Sequence, residues 1–202
     1  MEKHQHNSKE PQELERTIKF LDGVERKKEF PPEEVLQMLT IKKTDNILDL
    51  GSGTGYLTIP AAKMVHGLVY ALDMDEKMLE IIDCKAKDES ITNIKLVKGI
   101  IDNIPLPDDS IDIVLASLVL HEIKPLATTL QQINRVLKNS GQFMCLEYEK
   151  DESAIEGPPM QIRVASSVME QELKNAGLNI TQKIFLRKNI YIITAKKWDS
   201  HL

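Results

Sequence analysis

Ile47-Leu48-Asp49-Leu50-Gly51-Ser52-Gly53-Thr54-Gly55-Tyr56-Leu57 passes from a short apolar run through an acid to three glycines at alternate positions, and then into a second apolar run. An apolar stretch this short, closed by glycine, reads as a parallel strand buried on both faces and ending near Leu50. The glycines take β-carbons out of the turn, and a helix is expected to begin around Thr54, so backbone amides can come close to a ligand. Strand, glycine turn and helix in this order are how open α/β sheets hold nucleotide-like molecules.

The glycine spacing narrows the ligand. Dinucleotide-binding turns follow GxGxxG; here the third glycine falls one residue early and Tyr56 stands in the sixth position, which disfavours NAD. Asp49, two residues before Gly51, would repel a pyrophosphate and suits a ligand that carries an ammonium group. The stretch Asp49-x-Gly51-x-Gly53-x-Gly55 resembles the first motif of class I S-adenosylmethionine-dependent methyltransferases, of the type 11 and ubiquinone-biosynthesis-like group. The resemblance runs from about Val35 to Lys197. It implies S-adenosyl-L-methionine as cofactor and S-adenosyl-L-homocysteine as product. It also implies a Rossmann-like three-layer α/β sandwich, with a seven-stranded, mostly parallel sheet of order 3-2-1-4-5-7-6 whose last strand is antiparallel.

The 202 residues suffice for one domain that buries roughly 70% of its unfolded surface. Acidic side chains number 31 against 26 basic ones, so the net charge of -5 gives little field to attract nucleic acid. The basic cluster Arg26-Lys27-Lys28 reads as a solvated helix face. Cys84 and Cys145 belong to no CxxC or Cys/His cluster, which argues against a disulfide framework or a metal site. Met1 to Pro11 lacks a signal-peptide core, and no apolar run is long enough to span a membrane; a cytoplasmic protein is expected.

Along the chain, residues 1–12 read as a flexible tail, residues 13–30 carry Leu14, Ile18 and Leu21 at helical spacing, and Pro31-Pro32 opens a short helix to about Leu39. Residues 1–40 are therefore expected to form a tail and a helical lid, and residues 41–202 the cofactor-binding domain. Strands are expected over 46–50, 68–73, 93–98, 111–116 and 141–148, and helices over 54–65, 75–87 and 124–138. A helix over 166–176, closed by Gly177, leads to runs 178–187 and 190–197, whose short connection demands an antiparallel hairpin.

Asp73 closes the second strand 22 residues after Gly51, a distance at which a carboxylate reaches the ribose hydroxyls in this class of fold. The competing role is a helix cap, for which Asp75 is better placed. The methyltransferase resemblance assigns the remaining contacts. Gly51, Ser52 and Gly53 line the methionine moiety, Ser117 borders it, and Asp49 acts on its ammonium. Met74 packs on the adenine, and the backbone amide of Ile101 serves an adenine ring nitrogen. Ile100 stands where the family usually has an aspartate for the adenine amino group, a role that Asp102 is close enough to assume.

Transfer of a sulfonium methyl group is an in-line displacement in which the reactive group is the cofactor's own, so the protein supplies position and, where the acceptor must lose a proton, a base. His121, in the loop after the fourth strand, is the best-placed base, with a structural histidine as the alternative. Tyr148, at the rim of the fifth strand, and Arg163, in the loop from Glu156, are candidate acceptor contacts. His4, His6, Phe20 and Phe30 of the N-terminal segment could also cover the acceptor. Two cysteines are too few for arsenite methylation, and no Asn/Asp-Pro-Pro-Tyr motif follows the fourth strand, where Ser117-Leu118-Val119-Leu120 stands. A small-molecule acceptor is favoured over a non-catalytic cofactor sensor or partner subunit, and both over an NAD-dependent oxidoreductase. The acceptor and the oligomeric state are left open.

Overall fold

The four central strands are built from runs that are apolar on both faces: β1 (Ile47–Leu50), β2 (Val69–Asp73), β4 (Ile111–Ser117) and the later half of β5 (Leu137–Tyr148). β3 (Ile94–Lys98) is more exposed and lies at one edge. β6 (Leu178–Arg187) and β7 (Ile190–Lys197) form a hairpin at the other. The sheet order is β3-β2-β1-β4-β5-β7-β6, with β7 antiparallel to both its neighbours and the other pairings parallel. The computed structural model describes residues 15, 17–19, 21–151, 157–187 and 189–198. The expected tail at 1–12, with His4 and His6, and also Phe20 and Glu156, lie outside the described residues.

Alternation along the strands sends side chains to two separate cores. Leu48, Val114, Cys145 and Ile193 pack with α5 (Leu126–Val136) and α6 (Ser166–Asn175). Their neighbours Ile47, Leu115, Leu146 and Ile192 pack with Phe30, which follows α1 (Val24–Glu29), and with α2 (Pro32–Leu36) and α3 (Thr58–Met64) through Leu36 and Ala61. α4 (Glu76–Asp88) adds Leu79 and Ile82 against Ala71 and Ile59. The result is the expected three-layer sandwich.

Three local expectations change. The helix after β1 starts at Thr58, not near Thr54, because Gly51, Gly53 and Gly55 hold φ of 61°, 51° and 85°, values from which a right-handed helix cannot continue. The helical stretch expected over 13–30 is interrupted at Asp22-Gly23, where Gly23 is extended with ψ of 143°. β5 begins at Leu137, directly after α5, because Leu137 pairs with Ile111 before the register shifts between Ile111 and Ile113. Among the described residues, no helix is long and apolar enough to cross a membrane.

Candidate cofactor site

Register decides what meets at the sheet's C-terminal edge. Leu50 lies opposite Leu72 in β2 and Ala116 in β4, so the next residues, Gly51, Asp73 and Ser117, come level with one another around one cleft. This cleft is a cavity of about 470 Å³. Asp49, Gly51, Ser52, Gly53, Asp73, Met74, Ile101, Asp102 and Ser117 all line it.

Asp73 is fixed from two sides: Oδ2 accepts the Gly53 N–H at 2.8 Å and Oδ1 the Asp75 N–H at 2.9 Å. A carboxylate has about four acceptor positions, so capacity remains for two hydroxyls. Asp75, not Asp73, caps α4, accepting the Lys77 N–H at 2.9 Å. Asp49 is only 2% exposed and accepts the Thr58 hydroxyl at 2.6 Å. Burial pushes its carboxyl up to about 6, against the opposing pull of the Thr58 hydrogen bond and the Arg26 charge. The Ser52 hydroxyl is buried in the same cleft without a hydrogen-bond partner. On the far side Met74, Ile100 and Ile101 give an apolar rim, with Ile100 half exposed. An acid for an ammonium, an acid for hydroxyls, an orphaned hydroxyl and an apolar ledge are a donor and acceptor set that fits S-adenosylmethionine.

The cleft also holds a residue that composition did not single out. Arg26, read from sequence as part of a solvated helix face, is 7% exposed and lines the cavity, because Phe30 and Tyr56 cover its guanidinium. Phe30, four residues on, was the available cue. Asp22, in the break before α1, receives both Lys85 Nζ and the Thr54 hydroxyl, which staples the N-terminal segment to the glycine turn. Leu118, just after β4, lines the cleft with a φ of 57°, an uncommon conformation for a bulky residue.

His121, Tyr148 and Arg163 are not brought into this cleft. His121 follows β4 in a 3-10 turn and lines a second cavity of about 390 Å³, which shares Ile123 with the first. Its Nδ1 lies 2.8 Å from Oε2 of the fully buried Glu147, whose Oε1 accepts the Leu120 N–H at 2.7 Å. Burial alone would lower the imidazole pKa, but the Glu147 hydrogen bond and charge outweigh it and the pKa is raised. Glu147 is the partner that sequence could not supply, since only strand register brings it to His121. Arg163 is buried on the wall of the second cavity, with Nε donating to the Pro158 carbonyl at 2.8 Å and its guanidinium 5.4 Å from the Tyr148 ring centre. Tyr148 is covered by the Gly157 turn, where a β-carbon would approach its ring to 2.7 Å, so its ring is buried rather than presented at the rim.

A family model described as a methyltransferase domain matches residues 41–196. The chain belongs to that methyltransferase family. Family and fold together make S-adenosylmethionine its cofactor. An S-adenosylmethionine-dependent methyltransferase from Aquifex aeolicus superposes with a TM-score of 0.82 at 26% identity, over 92% of this chain and 97% of that one. The [4+2]-cyclase SpnF shares the fold alone, with a TM-score of 0.76 at 16% identity over 84% of this chain and 81% of its own. Among curated relatives, demethylmenaquinone methyltransferase of Geobacillus sp. (strain WCH70) is 34% identical over 117 residues, which is 57% of this chain and 50% of that protein. The corresponding protein of Staphylococcus haemolyticus (strain JCSC1435) is 37% identical over 115 residues, 56% of this chain and 47% of that protein. The chain thus spans about half the length of the curated relatives it matches.

Proposed function

We propose that this chain transfers a methyl group from S-adenosylmethionine to a small-molecule acceptor by in-line displacement. The observation that carries the reading is the pair of carboxylates, Asp49 and Asp73, on either side of a positive-φ glycine turn within one cleft. Bound there, S-adenosylmethionine supplies an electrophilic methyl group on sulfur. Asp73 holds the ribose hydroxyls, Asp49 the ammonium, and Gly51, Ser52, Gly53 and Ser117 enclose the amino-acid end. Met74, Ile101 and Asp102 receive the adenine. The relatives named for demethylmenaquinone methylation support a small acceptor for this chain.

The acceptor approaches from the second cavity, and His121 takes its proton where one must leave. The Glu147 carboxylate at Nδ1 supports this role, because it fixes the tautomer and leaves Nε2 as the basic nitrogen. Arg163 shapes the wall of that cavity, and Tyr148 holds Arg163 in place. Residues 21–26 act as the lid, since the Asp22 staple and Arg26 set them against the glycine turn. The test is turnover: the full chain is incubated with S-adenosylmethionine and a panel of quinol, phenol, thiol and amine acceptors, and S-adenosylhomocysteine is quantified. Acceptor-dependent formation is expected. Tight cofactor binding with no turnover on any acceptor would instead favour the sensor reading, to which the missing adenine aspartate at Ile100 lends support.

A further inference from the structure

Arg26 is a buried cation whose bonds do not match its charge. Nη1 donates to the Leu21 carbonyl and Nη2 to the Ser117 hydroxyl, each at 3.3 Å, and Nε has no partner. Its guanidinium stacks 4.0 Å from the Tyr56 ring centre, which fixes the plane of the fork. Two carboxylates act on it through space, Asp49 and Asp22, but each is engaged elsewhere, Asp49 with the Thr58 hydroxyl and Asp22 with Lys85 Nζ. Among the described residues Arg26 forms no ion pair. Arginine stays charged and offers five donors in a planar array suited to a carboxylate. Burying such a group without an anion is unfavourable, so its retention on the wall of a ligand cleft points to an anion that arrives with the ligand.

The rest of the cleft says which anion. Asp49, Asp73, Asp75, Asp102 and Glu122 line the same cavity, so a simple anion or a phosphate would meet repulsion. A zwitterion satisfies both signs, bringing an ammonium to Asp49 and a carboxylate to Arg26. We propose that Arg26 binds the carboxylate of an α-amino-acid end whose ammonium is taken by Asp49, so the N-terminal segment supplies half of the recognition of the cofactor's methionine moiety. This rests on the cofactor reading above. The carboxylate replaces the long bonds to Leu21 and Ser117 with charge-assisted ones and engages Nε. The Ser117 hydroxyl is then free to turn towards the same moiety.

Calorimetry on the full chain tests this with three thioether ligands: S-adenosylhomocysteine, S-adenosyl-3-thiopropylamine, which lacks only the carboxylate, and 5′-methylthioadenosine, which lacks the amino-acid end. Wild type should bind the first at least about tenfold more tightly than the second. Arg26→Gln should weaken S-adenosylhomocysteine by about tenfold or more and leave the other two within about twofold. Equal binding of the first two ligands by wild type would overturn the proposal, and that comparison stands whether or not the variant folds. Equal weakening of all three ligands by Arg26→Gln would also overturn it, assigning Arg26 to the packing of the lid. Failure of wild type to bind even 5′-methylthioadenosine would show that the cofactor reading itself is what fails.

Discussion

Asp49 lies within reach of titration at a pH where proteins are handled. Its carboxyl sits at about 6 because burial disfavours the charged form. The folded value lies above the ordinary carboxylate value of 3.8, so this group opposes folding above about pH 6, and the penalty is relieved as pH falls from 6 towards 3.8. Cofactor binding has the opposite sign, since an ammonium prefers the ionised acid. S-Adenosylhomocysteine affinity should therefore drop as pH falls through about 6, and Asp49→Asn should flatten that dependence, as followed by calorimetry across pH. His121 titrates in the other sense. Its pKa is raised above 6.5, so the ion pair with Glu147 stabilises the fold fully below 6.5 and is lost as pH rises through the folded value. Ring-proton NMR should give a midpoint above 6.5 in wild type and a lower one in Glu147→Gln, where burial is opposed only by the Glu122 charge; an unmoved midpoint would remove Glu147 from this role.

The glycine turn is the element on which the cleft depends. Gly51 has a φ of 61°, and a β-carbon there would collide with the Val119 side chain, a stiff β-branched group on the cleft wall. Gly51→Ala should destabilise the fold by about 1–3 kcal/mol in urea unfolding and weaken cofactor binding along with it. At this scale the sequence was most readable where apolar runs end abruptly. The hairpin expected over 178–187 and 190–197 has those limits in the structure, because Gly177 and Lys188-Asn189 punctuate it. The Thr54 helix start was not readable, since alternate glycines signal a turn without saying how many residues stay in the left-handed region. The burial of Arg26 and the pairing of Glu147 with His121 were not readable for a related reason. Each owes its role to a partner far along the chain, Tyr56 for one and His121 for the other, and periodicity carries no information about such pairs.

For the molecule as a whole, the N-terminal segment expected as a lid sends side chains both to the cleft and to the core. Thr17, Leu21 and Arg26 line the cleft, whereas Phe30, Val35, Leu36 and Leu39 are buried in the core with Ile47, Leu57 and Val65. Leu36 is fully buried, so Leu36→Ala should destabilise the protein by about 2–5 kcal/mol, a loss that thermal or urea unfolding would register and that a detachable cover would not show. The whole account turns on the cleft at the ends of β1, β2 and β4 being the seat of a sulfonium nucleoside. A crystal structure of the full chain with S-adenosylhomocysteine tests this most directly. It should place the ribose hydroxyls on Asp73 and the amino-acid end between Asp49 and the Gly51–Gly53 turn. Density for the ligand at any other surface, or a cleft without ligand density at saturating ligand, would contradict it.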